Sequence, residues 1–294
     1  MIVAVVDVGS NSVRLLVADV QEAIVRQRHR ERVYLRLGDD AHRLGRIGAE
    51  KLAQARDVIA SFARIARDAG AVRLETIVTA PGRQSENAAE LVRTLSSATR
   101  AAVVVLSAED EGRLAWEGAV ARLPDPPHVV AAVDLGGGSC EIAVGTPTLG
   151  PAWVRSFEAG ALRVTRAFLD DGASGSHARD EARVAIAKLL STATPPLPDV
   201  TLAVGGTARA VAKILGPTFG TKSLVELSRR LGASSPRSIA RSFGLTEERA
   251  ETLLGGTLVL AEVSNLVGTD LELGRGGLRE GAALALARAE AAAA

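Results

Sequence analysis

Short runs of aliphatic and β-branched residues alternate along the chain with segments of helical periodicity. Residues 2–6 form one such run, which ends at Asp7 and leads through a turn into a second apolar run. Residues 129–133 form another, which ends at Asp134 and again leads through a turn into an apolar run. Both segments are typical of a strand, a tight turn and a second strand. Each turn has the pattern Asp-x-Gly-x-x-Ser, and the two copies lie 127 residues apart.

A second pair of segments repeats at matching distances. Residues 75–79 form a strand run followed by a helical pattern, and residues 201–205 form another strand run followed by a helical pattern. These two runs end 72 residues after Asp7 and 71 residues after Asp134. Because two features recur at matching offsets, we predict an internal duplication. The expected fold is a pair of similar α/β domains that face each other across a cleft.

The remaining periodicity predicts helices and a division into two domains, 1–118 and 119–294. The helical patterns lie at 51–69, 109–123, 180–190, 224–230, 235–254 and 281–294. A proline-rich segment at 124–127 is typical of an interdomain linker. The Ala-rich terminal helix could pack back on the first domain.

Charge and composition exclude several classes of function. Lysine and arginine number 35 against 34 aspartate and glutamate, a net charge of +1, and aromatic residues make up 3%. Nucleic-acid-binding proteins usually carry a basic domain or aromatic residues that stack on bases, so we expect no nucleic-acid partner. The single cysteine, Cys140, excludes an intramolecular disulfide and a multi-cysteine zinc site. Without a basic leader or an apolar stretch of about 18 residues, we expect a cytoplasmic protein with no membrane partner.

The two Asp-x-Gly-x-x-Ser turns are the first candidates for ligand binding. Glycines let the backbone approach a ligand closely, and successive N–H groups form a concave site for anions. The candidate phosphate-binding residues of the turns are Gly9, Ser10, Asn11, Ser12, Gly136, Gly137, Gly138 and Ser139. Asp7 and Asp134 stand at strand ends, where a carboxylate can hold Mg²⁺ or a water bound to it. The alternative is a hairpin whose Asp and Ser only cap the turn. The second copy at a matched offset favours the ligand site.

A third candidate phosphate site consists of Gly205, Gly206 and Thr207, between a predicted strand and a helix. The partial positive charge of a helix N-terminus suits a phosphate there, although two glycines before a helix can also form a simple turn. The counterpart in the first domain contributes Arg83, a candidate bidentate phosphate ligand. The alternative for Arg83 is a solvated surface charge.

Three consecutive acids, Glu109, Asp110 and Glu111, open a predicted helix. Acids in the first turn of a helix stabilise it through its dipole, and Asp110 also fits a capping box with Ser107. Glu111 could instead act as a general base for water. The spacing alone does not choose among the three acids.

Other catalytic motifs are incomplete. Residues 216–223 resemble a P-loop, but Thr221 replaces the required glycine. Glu141 stands where the third glycine of a dinucleotide-binding motif belongs, and no Gly-x-Ser-x-Gly elbow occurs. Candidate phosphate sites with carboxylates and no strong covalent nucleophile fit phosphoryl transfer to water with a metal ion.

Six segments resemble the exopolyphosphatase/guanosine pentaphosphate phosphohydrolase (Ppx/GppA) family, in family order and over nearly the whole chain. They are DVGSNSVRL (7–15), SAEDEGRL (107–114), DLGGGSCE (134–141), GALRVT (160–165), VGGT (204–207) and GLREG (277–281). The resemblance implies the actin-like ATPase/sugar kinase/Hsp70 fold, with two ribonuclease H-like domains around a central cleft. It also implies removal of terminal phosphate from inorganic polyphosphate with Mg²⁺, or with Mn²⁺ in its place.

The resemblance also implies roles for individual residues. In that family a glutamate before an Ala-Arg-Leu-like segment positions the attacking water, and this role falls on Glu111. Asp134 and Glu141 are placed near Mg²⁺, and Arg83 and Asn87 join the turns and residues 205–207 around the phosphates. The segment at 80–82, together with Ala108 and Cys140, departs from the usual family pattern.

Alternative functions remain open at this point. They are hydrolysis of guanosine pentaphosphate or of nucleotide ends, a non-catalytic sensor that binds nucleotide or polyphosphate, and an actin-like filament protein, which the Glu111 motif disfavours. The chain has no long basic run and none of the additional C-terminal domains of longer family members, so we expect a preference for short polyphosphates. We also expect a homodimer.

Overall fold

A computed structural model describes residues 1–99, 101–123, 127–169 and 175–293. The chain divides into two compact units. Unit 1 comprises Met1–Arg122 and Gly276–Ala294, and unit 2 comprises Leu123–Arg275. Most of the predicted linker, residues 124–126, lies outside the described residues. None of the described helices combines the length and the apolar character that crossing a lipid bilayer requires.

Unit 1 is built on a mixed sheet with the strand order β3-β2-β1-β4-β5. Its elements are β1 (Ile2–Val8), β2 (Ser12–Gln21), β3 (Ile24–Tyr34), α1 (Leu37–Leu44), α2 (Ala49–Asp68), β4 (Arg73–Val78), α3 (Ala80–Gln84), α4 (Ala88–Thr99), β5 (Val103–Val105), α5 (Ala108–Val120) and α13 (Leu278–Ala293). The first three strands pair in antiparallel fashion, whereas β4 pairs with β1, and β5 with β4, in parallel.

The sheet of unit 1 is buried on both faces. Val6 and Leu15 pack on one face together with Ile59 of α2. Leu16 packs on the other face together with Leu284 of α13. Burial on both faces explains why β1 and β2 are nearly continuous apolar runs rather than alternating ones.

Unit 2 is built on a sheet with the strand order β10-β11-β9-β6-β7-β8. Its elements are β6 (Val130–Leu135), β7 (Cys140–Thr146), β8 (Gly150–Phe157), α6 (Ala161–Phe168), α7 (Ser176–Leu190), β9 (Val200–Val204), α8 (Gly205–Leu215), β10 (Thr218–Phe219), α9 (Thr221–Gly232), α10 (Pro236–Phe243), α11 (Glu247–Glu251), α12 (Leu253–Val267) and β11 (Leu271–Leu273). Helix α12 is buried along most of its length and packs in the core with Val133 and Ile142.

The two units share one topology. Read from its antiparallel edge, unit 2 has the order β8-β7-β6-β9-β11, which matches β3-β2-β1-β4-β5 of unit 1, with β10 added at the far edge. In both units two antiparallel pairings are followed by two parallel pairings. This agreement confirms the duplication predicted from the sequence offsets.

The terminal helix α13 belongs to unit 1, in agreement with the expectation that it packs back on the first domain, whereas the predicted division assigned residues 119 to 294 to the second domain. Glycines on α5 and near α13 explain the difference. A Cβ on Gly118 would overlap the carbonyl oxygen of Gly277, and one on Gly281 would overlap that of Leu114. The two helices therefore pack backbone against backbone, a contact that only glycine permits.

Candidate functional site

The turn between β1 and β2 is held against the segment that leads into α1. Gly9 N donates to Ser12 O at 3.2 Å and closes the turn, Arg36 N donates to Asn11 O at 3.0 Å, and Gly38 N donates to Ser10 O at 2.8 Å. The three polar residues of the turn, Ser10, Asn11 and Ser12, are buried. Because carbonyl oxygens that already accept hydrogen bonds repel an anion less, this arrangement favours the phosphate nest predicted here.

The turn between β6 and β7 is held in the same way by helix α6. Gly136 N donates to Ser139 O at 3.0 Å, and the N–H groups of Ala161 and Leu162 donate to the carbonyls of Gly136 and Gly137, both at 3.0 Å. Arg163 adds its Nε, which donates to Gly138 O at 3.1 Å. In each unit, main-chain N–H groups at or near the start of a helix donate hydrogen bonds to the carbonyl oxygens of the predicted phosphate turn. This correspondence was not predicted from the sequence.

The third predicted phosphate segment, 205–207, lies beside Asp134. Gly205 has a φ of +94°, and a Cβ on it would lie 3.1 Å from both Asp134 Oδ1 and Leu135 O. A glycine is therefore required, both for the backbone conformation and for the approach to the carboxylate. The N-terminus of α8 and the end of β6 thus meet in unit 2, as the parallel pairing of Asp134 with Val204 demands.

A residue that the sequence analysis missed, Arg249 of α11, contacts this segment. Its Nη1 donates to Thr207 Oγ1 at 3.2 Å, and the side chain is buried. Burial of an arginine in the run Glu-Glu-Arg-Ala-Glu has no signal in the local sequence, because such a run is typical of a solvated helix face.

The two predicted metal-binding carboxylates of unit 2 are direct neighbours across the sheet. Asp134 on β6 pairs in register with Glu141 on β7. Glu141 is buried, and its Oε1 accepts a hydrogen bond from Ser156 Oγ at 2.7 Å. Among the described residues, no group of three or more His, Cys, Asp or Glu side chains is placed to hold a metal ion.

Cys140 lies beside these carboxylates but in the apolar core of unit 2. Burial, and then the charges of Glu141 and Asp134, raise the pKa of its thiol well above the ordinary value. The thiol therefore stays protonated at neutral pH and is a poor nucleophile.

Asp7, the predicted metal-binding carboxylate of unit 1, is buried at the end of β1. Burial raises the pKa of Asp7 above its ordinary value of 3.8, and the positive charges of Arg14, Arg279 and Arg32 offset part of that increase. Nearby in the chain, Asn11 Oδ1 is buried and accepts no hydrogen bond from the described residues. The Asp7 carboxylate and the Asn11 amide oxygen are buried oxygen ligands that suit a hard cation or a water molecule bound to one.

The raised pKa of Asp7 gives a stability prediction. When the pKa of a carboxyl group is higher in the folded than in the unfolded state, the folded protein becomes less stable as the pH rises from the unfolded pKa through the folded pKa. At pH 7 in EDTA, Asp7→Asn should therefore raise Tm by roughly 2–4 °C, the shift expected for about 1 kcal/mol. Thermal denaturation followed by circular dichroism measures it, and the gain should shrink toward pH 4. The exposed Asp68→Asn serves as control, and an unchanged or lower Tm for Asp7→Asn would show that the arginines outweigh burial.

The three acids at the start of α5 have different environments in the structure. Glu109 is exposed and pairs with Arg113 at 2.9 Å. Asp110 is also exposed, and its N–H donates to Ser107 Oγ at 3.0 Å, which agrees with the predicted capping role. Glu111 alone is buried, with 5% of its surface exposed. Of the three acids, only Glu111 has the environment of a functional carboxylate.

Arg83 contacts the predicted catalytic residue itself. Its Nη1 donates to Glu111 Oε2 at 2.8 Å and to Leu106 O at 3.0 Å. The guanidinium thus anchors the Glu111 carboxylate to the strand end that precedes α5. The sequence predicts Arg83 only as a phosphate ligand, because the contact joins residues on two separate helices, α3 and α5.

Asn87 has a different environment from the one predicted. Its Oδ1 accepts from Ile47 N at 2.8 Å, while its Nδ2 donates to Ile47 O at 2.9 Å and to Glu90 Oε2 at 2.9 Å. The amide is fully engaged, so Asn87 fixes the chain at Ile47, and we leave it out of the phosphate-binding residues proposed below.

Comparison with known proteins gives the family. The model of the Ppx/GppA phosphatase family matches residues 16–290. The chain belongs to this family. Exopolyphosphatase 2 of Mycobacterium tuberculosis is 27% identical over 287 residues, which cover 89% of this chain and 89% of that protein. Exopolyphosphatase 1 of Mycobacterium leprae is 27% identical over 284 residues, which cover 90% of this chain and 82% of that protein.

Solved structures of the Ppx/GppA family have the same fold. The Aquifex aeolicus family member superimposes with a TM-score of 0.82 at 22% identity, over 99% of this chain and 98% of that one. An exopolyphosphatase from Cytophaga hutchinsonii gives a TM-score of 0.81 at 23% identity, over 98% of each chain. The predicted family and the two-domain actin-like ATPase fold are therefore confirmed.

Proposed function

We propose that this Ppx/GppA protein is an exopolyphosphatase, which hydrolyses the terminal phosphoanhydride bond of inorganic polyphosphate. The observation that carries the proposal is the buried carboxylate of Glu111, held by Arg83 at 2.8 Å. A buried, anchored carboxylate can take a proton from water, and the two glycine turns and the α8 N-terminus supply main-chain donors for phosphate oxygens. The mycobacterial relatives named as exopolyphosphatases support the same reaction.

In the proposed mechanism Glu111 orients and deprotonates a water molecule. The water oxygen forms a bond to the terminal phosphorus, and the bond from that phosphorus to the bridging oxygen breaks. The proton of the water passes to the Glu111 carboxylate, and the products are orthophosphate and a chain one phosphate shorter. Main-chain N–H groups of the turn at 10–12 in unit 1, and of the segments 137–139 and 205–207 in unit 2, are the candidate donors to phosphate oxygens, on which they would stabilise the developing charge.

The carboxylates fit a magnesium ion. Asp134 and Glu141 are adjacent hard oxygen ligands in unit 2, and in unit 1 Asp7 is a separate candidate ligand. Mg²⁺ is typically bound through one or two carboxylates together with substrate phosphates and waters, and Mn²⁺ accepts the same ligands. The chemistry such an ion supplies when bound is partial neutralisation of the phosphate charge.

The metal proposal predicts a changed magnesium requirement. Asp134→Asn removes one charged ligand, so the Mg²⁺ concentration for half-maximal activity should rise by about tenfold, the effect of some 1.4 kcal/mol. Phosphate release measured across a magnesium titration tests this. Asp180→Asn, an exposed position on α7 of the same unit, is the matched control. A wild-type rate that EDTA leaves unchanged would overturn the metal role.

The substrate is tested by phosphate release from polyphosphate, guanosine pentaphosphate and ATP, each with and without Mg²⁺. We expect the fastest release from polyphosphate, with short chains preferred. Faster release from guanosine pentaphosphate or ATP would assign the protein to the nucleotide alternative, and binding without release would indicate a sensor.

Assembly and location are further proposals. We propose that the protein forms a homodimer and that it is located in the cytoplasm. Sedimentation velocity measures the assembly, and a monomer at micromolar concentration would contradict it. Cell fractionation measures the location.

A further inference from the structure

Strand β3 carries a series of exposed arginines that the proposed mechanism does not use. Arg26, Arg28, Arg30 and Arg32 lie at every second position, and Glu31 is the only acid among residues 26–32. β3 is also the outermost strand of the unit 1 sheet. A protein with a net charge of +1 therefore concentrates positive charge on one sheet edge.

The strand register divides these arginines between the two faces of the sheet. Arg32 lies opposite Arg14 and Arg30 lies opposite Leu16, so all three arginines share one face. The register shifts between Val17 and Ala18, which places Arg26 opposite Asp19 on the other face. A β-bulge thus separates two otherwise similar arginines, Arg30 and Arg26.

The arginines on the first face lie in a row that begins at the proposed phosphate turn. Arg14 Nε donates to Ser12 Oγ at 3.1 Å, at the end of the turn. Arg32 is the cross-strand neighbour of Arg14, about 5 Å away between strands, and Arg30 follows about 7 Å further along β3. Arg14, Arg32 and Arg30 therefore form a basic strip from the turn to the sheet edge.

The outer arginine of the strip is available to a ligand. Arg30 is exposed and makes no hydrogen bond or ion pair with any described residue, and the same holds for Arg26 on the opposite face. Arg32 Nη1 donates to Tyr34 Oη at 3.2 Å, and its guanidinium lies 5.7 Å from the centre of the Tyr34 ring. An anion at Arg30 would not have to displace a carboxylate.

We propose that Arg30 and Arg32 bind the internal phosphates of a polyphosphate chain whose end occupies the turn at 9–12. The inference rests on the proposed function. Arginine binds phosphate through paired N–H donors, and several weak contacts along one polyanion add to a large gain in affinity. The strip is short, so affinity should increase with chain length only until the chain reaches Arg30, and longer chains should gain no further affinity.

Kinetics on two substrates test the strip. Arg30→Gln should raise KM for long polyphosphate by about tenfold, some 1.4 kcal/mol, with an unchanged kcat, because one charge-assisted contact with an internal phosphate is lost. KM for tripolyphosphate, which is too short to reach Arg30, should change less than twofold. Arg26→Gln removes the same charge from the other face of the same strand and should behave as wild type.

Titration calorimetry with long polyphosphate makes the test independent of turnover. If Arg30→Gln selectively weakened polyphosphate binding while the wild-type protein released no phosphate, the proposal for the strip would stand and the proposed function would be overturned. Equal effects of Arg30→Gln and Arg26→Gln, or no effect of either, would overturn the strip. A loss of single-stranded RNA binding with unchanged polyphosphate binding would also overturn it, because the strip would then be a nucleic-acid surface.

Discussion

Replacing Glu111 by glutamine is expected to lower kcat on polyphosphate by roughly 10²–10⁴-fold, the contribution typical of a positioned general base. Glutamine keeps the size of the side chain, and its amide oxygen can still accept the hydrogen bond that Arg83 Nη1 donates at 2.8 Å. What it loses is the ability to take a proton from water. Binding of polyphosphate should therefore remain close to wild type. Stopped-time phosphate release and calorimetric binding, measured on the same preparation, separate the two quantities.

The matched control for this variant is Glu109→Gln, two residues earlier in the same helical turn. Glu109 is exposed and bound to Arg113, so its replacement should change kcat by less than twofold. Near wild-type turnover of Glu111→Gln, or an equal loss in Glu109→Gln, would remove Glu111 from the mechanism. A loss of binding in parallel with turnover would instead assign Glu111 a structural role through Arg83.

The duplicated fold could be predicted because its signal is repeated. Each copy of the Asp-x-Gly-x-x-Ser turn follows an apolar strand, and the matching offsets predict two similar domains, as the shared strand order of the two sheets shows. Helix α12 was missed for the opposite reason. It is buried on nearly all sides, so it has no amphipathic period, and its first turn contains two glycines, which suggest a turn in the sequence. Those glycines pack instead, since a Cβ on Gly255 would lie 2.5 Å from Thr165 Oγ1.

Strand β3 was missed because its pattern is polar. Arginines alternate with other polar residues from 26 to 32, and an edge strand with little burial carries no apolar period. The same exposure makes β3 the strand on which the basic strip lies.

The candidate site could be predicted only where its chemistry is local in sequence. Turns, strand ends and the helix start at 205–207 carry their signal in consecutive residues. Contacts between separate elements carry none, as with Arg83 on Glu111 and Arg249 on Thr207. Burial then distinguishes Glu111 from Glu109 and Asp110, a choice that the spacing alone leaves open.

Replacing Gly160 by alanine is expected to displace the unit 2 turn from its position against helix α6. Gly160 caps α6, and its backbone torsions, φ −68° and ψ 154°, are open to any residue, so the requirement for glycine is spatial. A Cβ there would overlap the carbonyl of Gly137, which accepts hydrogen bonds from Leu162 N and Arg163 N. Helix α6 would have to withdraw from the turn, at a cost of about 1–3 kcal/mol.

That withdrawal should lower kcat/KM on polyphosphate by about 10²-fold, because misplacement of binding groups by about 1 Å is sufficient for such a loss. Tm should fall in the same variant. Gly175→Ala is the matched control, since Gly175 caps α7 in the same unit and a Cβ there would have no atom of the described residues within 4 Å. Phosphate release and thermal denaturation of both variants decide the point. If Gly160→Ala were as active as Gly175→Ala, the position of the 136–139 turn would not depend on α6, and its role in phosphate binding would lose its structural basis.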